Sequence, residues 1–146
     1  MRSFVLFSSL MLTCTLFAQN GIFGRWVTID ENTGKKRSII EITERGGKAF
    51  GRLLKIFPDV GEDPDPICKE CDEDDDRFNQ KFVGMEIMRD MVRNGTEWGD
   101  GTILDPEKGS IYDCKIWVEP GAGNEGKLKV RGYLMFFFRT QTWVRE

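Results

Sequence analysis

Phe23-Gly24-Arg25-Trp26-Val27-Thr28-Ile29-Asp30, residues 23–30, reads as the opening strand of a β fold. Val27, Thr28 and Ile29 are β-branched, and such side chains fit a pleated surface better than a helix. Gly24 stands two positions before Trp26, where a glycine permits a tight bend and an indole supplies a large plug. Outward from this stretch the same grammar repeats. Glu31-Asn32-Thr33-Gly34 leads into a β-rich run over 35–44, and Arg45-Gly46-Gly47 leads into another over 48–57. Short glycine-bearing links between such runs predict hairpins. Strand character resumes at Phe82–Met88, turns at Asn94-Gly95, and continues from Trp98 to Leu104. A turn at Asp105–Gly109 precedes a strand over 110–119, and Pro120–Gly126 precedes strands over 127–133 and 139–145. No capped helical stripe interrupts the series. The expected fold is all-β: a single antiparallel up-and-down barrel of about eight strands.

Two segments stand outside that pattern. Residues 1–18 carry Arg2, an apolar run from Phe4 to Phe17, and Ala18 before polar Gln19. A basic start, an apolar middle and a small residue at the cut describe a secretory signal peptide. The run is shorter than the roughly 20 residues that cross a bilayer. The expected product is therefore an exported domain over residues 19–146, periplasmic or extracellular, with no membrane span. Residues 58–79 hold Pro58, Pro64 and Pro66 among crowded carboxylates, which excludes a central strand and predicts one long acidic loop.

Charge and composition exclude several functions. The formal charge is −3 and becomes one unit more negative when Arg2 leaves, which is wrong for a nucleic-acid binder. There is no histidine, so the commonest general base, the usual triads and the commonest zinc ligand are absent. Alternation assigns faces. Tyr112, Cys114, Ile116 and Val118 share one side of their strand, opposite Asp113 and Lys115, so Cys114 points inward. Near the end, Arg139, Gln141 and Trp143 share one side, and Thr140, Thr142 and Val144 the other. An eight-stranded barrel has room for side chains or one small ligand, and a polar line inside it marks a ligand site.

GRWVTIDENTGKKRSIIEI at 24–42, CKEC at 68–71, WGDGTILDPEKGSIYDCK at 98–115, VRGY at 130–133 and RTQTW at 139–143 together resemble the bacterial exported family called domain of unknown function 2147. The resemblance spans nearly the whole mature chain. It implies a barrel related to the calycins, the group that contains the lipocalins, and no assigned activity. Calycin likeness implies a structural closure by Gly24, Trp26 and a late arginine lying across the indole. Arg139 is the first candidate for that arginine and Arg145 the second. A guanidinium on an indole face contributes roughly 0.5–2 kcal/mol. The long helix that lipocalins carry before the last strand has no counterpart here.

Other constellations are weaker. Once Cys14 leaves with the leader, Cys68, Cys71 and Cys114 remain. In an oxidising compartment a Cys68–Cys71 bridge is the preferred pairing, and Cys114 with either of them the alternative. A redox pair needs a thiolate-stabilising surrounding, which an acidic loop does not supply. A three-thiolate zinc site lacks a fourth ligand. The acidic run has calcium-like composition without the spacing of a calcium loop, so a solvated loop is preferred. Asp100 and Asp105 read as turn chemistry rather than a hydrolytic pair. Tyr133–Phe138 is a strongly apolar run, either a portal, a contact surface, or core folded over the barrel mouth.

These readings point to a non-catalytic exported barrel that binds a small, partly apolar or amphipathic ligand, without metal or cofactor. Arg139, Gln141, Trp143 and Tyr112 are the candidate ligand-binding residues. The alternative is an envelope interaction module with a solid core.

Overall fold

Alternation and turn chemistry resolve into eight strands: β1 (Gly24–Ile29), β2 (Lys36–Arg45), β3 (Lys48–Ile56), β4 (Glu86–Asn94), β5 (Glu97–Asp105), β6 (Ser110–Val118), β7 (Lys127–Leu134) and β8 (Phe137–Arg145). The computed structural model describes residues 21–146. The expected signal peptide, residues 1–18, lies outside the described residues. Each strand pairs antiparallel with the next, and β1 pairs with β8 through Trp26–Arg145 and Val27–Val144, closing the barrel. The expected all-β, up-and-down architecture is the observed one. Closure satisfies the backbone of both edge strands, which an open sheet would leave available for unwanted pairing.

Antiparallel alternation sorts the connections to two ends. The β1–β2, β5–β6 and β7–β8 turns and the long β3–β4 connection lie at one end, the mouth. Residues 21–23, the other turns and the C-terminus lie at the opposite end, the floor. Ile42, Met91, Ile116 and Leu128 are almost fully buried and pack the floor half. Cys114 is 3% exposed, on the inward face of β6 where its neighbours Asp113 and Lys115 turn outward.

The β3–β4 connection departs from expectation in two ways. The strand expected to begin at Phe82 starts instead at Glu86 and runs past Met88 to Asn94. Gly84 adopts φ +93°, and its N–H donates to the Leu53 carbonyl at 2.7 Å, while Leu53 N–H donates to the Met85 carbonyl at 2.8 Å. This turn tucks Phe82 and Met85 into the core rather than extending them along the sheet. The acidic segment is also less solvated than its composition suggests. Cys68 and Cys71 form a disulfide and are both buried, which settles the pairing and leaves Cys114 free. Asp75 holds Arg77 by two hydrogen bonds of 2.8 and 2.7 Å, and Asp76 grips Arg89 at 2.8 and 2.9 Å. Lys81 pairs with Asp65 and Lys35 with Asp59. The loop is pinned to the barrel by charge and by apolar anchors. Gly109, at φ +69° in the β5–β6 turn, lies so close to the Glu70 carbonyl that any Cβ there would collide with it.

Candidate functional site

The floor is built around Trp26. Its side chain is fully buried, and its Nε1 donates to the Ile22 carbonyl at 2.8 Å. Phe23 meets Trp98 edge to face, with ring centroids 5.4 Å apart. Arg145 lies over the Trp26 ring, 4.1 Å from its centroid, and donates to the Phe23 and Gly21 carbonyls at 3.0 and 2.7 Å. Burial lowers the Arg145 pKa from its ordinary value. Gly24 adopts φ +110°, and a Cβ there would sit 3.1 Å from Arg145 Nη1. Glycine is therefore required both by the backbone and by the approach of the guanidinium.

Arg139 does not cover Trp26, and that expectation is corrected. The β1–β8 register sets Trp26 opposite Arg145, and Arg139 stands six residues earlier on β8, roughly 20 Å along an extended strand. It points to the mouth, where Nη2 pairs with Glu31 at 3.0 Å. Trp26–Arg145 pairing follows from joining the first strand to the very end of the chain. Arg145, the second candidate that the calycin resemblance offered, takes the place instead.

Above the floor the barrel is hollow. A cavity of about 900 Å³ opens between the β3–β4 connection, the β5–β6 turn and the β7–β8 hairpin. Tyr112, Arg139, Gln141 and Trp143 all line it, so the structure brings together the four residues singled out from alternation. Sequence reasoning missed the opposite wall, where Ser38, Ile40, Leu53 and Ile87 face the cavity. Their strands showed β character, but which face turned inward depended on register. Thr28 and Ser38 share a hydrogen bond of 2.7 Å, and Trp143 Nε1 donates to Gln141 Oε1 at 3.2 Å. On the outside of β7 and β8, Lys129 and Arg131 donate to Thr142 and Thr140 at 2.7 Å each.

Along the cavity wall, charge is confined to the mouth. Arg37 forks onto Glu62 at 3.1 and 3.2 Å and reaches Asp59 at 3.4 Å and Glu107 at 3.6 Å. The hydrogen bond from Arg37 holds the Glu62 carboxyl below its usual range, and the Glu62 bond raises Arg37 in turn. Beside this rim the β7–β8 hairpin presents Met135 and Phe136 at 90% and 97% exposure, flanked by exposed Leu134, Phe137 and Phe138. The apolar run is thus a projecting tip rather than a plug. Burial pushes the Cys114 thiol up to about 12, which makes it a poor nucleophile. Among the described residues no group of carboxylates and thiols converges to hold a metal ion.

A family model described as "Uncharacterized protein conserved in bacteria (DUF2147)" matches residues 24–145. Among solved structures, the chain is similar to protein HP1028 of the human pathogen Helicobacter pylori, described as belonging to the lipocalin family. The TM-score is 0.64 at 17% identity, over 84% of this chain and 81% of that one. At that identity the likeness concerns the fold. No curated protein shows significant sequence similarity to the chain.

Proposed function

We propose that this chain, which belongs to the DUF2147 family of bacterial proteins, is exported after cleavage behind Ala18 and carries a small, partly apolar molecule inside its barrel. The observation that carries this reading is the cavity of about 900 Å³, sealed at one end by Trp26, Arg145 and Trp98 and open at the other. Its size falls within the roughly 300–1,000 Å³ of small-molecule sites, and below the charged mouth its wall has the expected mixture of many apolar groups and a few polar ones. The lipocalin-like fold and the disulfide agree with an exported binding protein. Binding rather than turnover is the proposed role, because the lining carboxylates and the lysine, Glu62, Asp63, Asp105, Glu107 and Lys108, stand at the mouth, and the wall below them presents no such group to a bound molecule.

Native mass spectrometry of gently purified protein, and of protein incubated with the neutral probe N-phenyl-1-naphthylamine, tests the reading. One molecule bound per chain is expected, and Val130→Trp, which fills the cavity from β7, should abolish it while leaving the circular dichroism spectrum unchanged. A barrel that stays empty, or a filled variant that binds as well as the parent, would refute it.

The exposed hairpin favours a second reading, in which the mouth meets a partner or an envelope surface. Solvent-exposed phenylalanines in sequence are unusual on a free surface. Co-sedimentation with phosphatidylethanolamine vesicles, lost in Phe136→Ser, is the expected signature of that contact. Equal recovery of both proteins in the supernatant would exclude it.

A further inference from the structure

We infer that the occupant of this cavity binds as a neutral molecule, an apolar body with one uncharged hydrogen-bonding group, and not as an anion of the fatty-acid kind. The inference rests on the binding reading above and narrows it to a ligand class. Its basis is the separation of charge from cavity depth. Every charged lining residue belongs to a mouth turn or to the mouth end of a strand: Arg37, Glu62, Asp63, Asp105, Glu107, Lys108 and Arg139. Below them the wall is apolar or neutral. The two arginines able to attract a carboxylate are already engaged, Arg37 by Glu62, Asp59 and Glu107, and Arg139 by Glu31. Lys108 is exposed in a turn that also carries Asp105 and Glu107. Carboxylates outnumber cations around the opening, so its field repels an anion.

The deep polar groups suit an uncharged partner. A Trp side chain donates and never accepts, so the bond from Trp143 fixes Oε1 as the engaged end of the Gln141 amide. Its Nε2 keeps two N–H donors with no partner among the described residues, and the Tyr112 hydroxyl, one donor that can also accept, likewise has none. On the facing wall Thr28 and Ser38 share one hydrogen bond, which uses the proton of one hydroxyl and leaves the other free to meet a ligand. These dipoles can hold a hydroxyl, carbonyl or amide. They cannot repay the desolvation of a carboxylate, which in such a wall stays neutral by taking up a proton.

The test compares dodecan-1-ol, dodecanamide and dodecanoate, which share one chain, as displacers of N-phenyl-1-naphthylamine. At pH 7.5 the alcohol and amide should displace the probe at concentrations at least tenfold below dodecanoate. Between pH 7.5 and 5.5 dodecanoate should gain nearly tenfold in affinity per pH unit, because only its protonated form enters, while the alcohol stays flat. The chain contains no histidine, so few of its own groups titrate in that window. Tyr112→Phe should weaken the alcohol about fivefold more than it weakens the probe. Dodecanoate binding as tightly as the alcohol at pH 7.5, without pH dependence, would overturn the inference and leave the binding reading intact. Failure of the probe itself to bind would overturn the binding reading, and this inference with it.

Discussion

Replacing Arg145 by methionine should weaken the whole barrel, although the residue is the penultimate one in the chain. Its guanidinium makes two hydrogen bonds to backbone carbonyls and one ring contact with Trp26. A hydrogen bond from a charged group contributes about 1.5–3 kcal/mol and a cation–π contact about 0.5–2. These terms share one side chain and are not additive. Desolvation of the guanidinium, visible in its lowered pKa, offsets part of them. Methionine keeps much of the stem packing, so the expected net loss is about 2–4 kcal/mol, or about 10 °C in melting temperature for a domain of this size. Urea unfolding followed by Trp26 and Trp98 fluorescence measures it, with Arg139→Met as the comparison. That exposed pair with Glu31 should contribute under about 1 kcal/mol. Equal midpoints for Arg145→Met and the parent, or a larger drop in Arg139→Met, would refute the proposed closure.

Gly24→Ala should destabilise by about 2 kcal/mol in the same assay, because alanine must hold φ +110° while its Cβ presses on Arg145. Gly109→Ala should release the disulfide-bearing loop from the β5–β6 turn, read as faster proteolysis within residues 58–79 with little change in the barrel's own spectrum. Asp75→Asn strips the buried Arg77 guanidinium of its carboxylate and should cost about 3 kcal/mol at pH 7. Because Arg77 holds the Asp75 carboxyl far below its ordinary 3.8, the ion pair's contribution is complete above about pH 4 and is lost as pH falls further. Wild type and Asp75→Asn should therefore converge in stability on acidification. Cys114 should resist a thiol reagent in the native protein and react fully in urea; ready native labelling would contradict its burial.

Much of the barrel was legible along the chain because strands and tight turns are local. Period-2 alternation marked Cys114 and Ile116 as inward, and glycine-bearing links marked the hairpins. The placing of Tyr112, Gln141 and Trp143 on one cavity wall followed from the same alternation. Where a segment lacked periodicity, reading failed. Phe82–Met85 looked strand-like by composition, yet Gly84 and bonds to Leu53 make it a turn.

By itself, then, the chain determined its strands, the need for glycine before Trp26 and the proximity of Cys68 to Cys71, since each depends on residues a few positions apart. Tertiary structure alone decided that Arg145 rather than Arg139 covers the indole, because that choice depends on the register in which the two chain ends meet. It also decided that the acidic loop is clamped by arginines from β2 and β4, and that the barrel is hollow toward its mouth. A cavity is what remains after all eight strands have packed, so no single stretch encodes it.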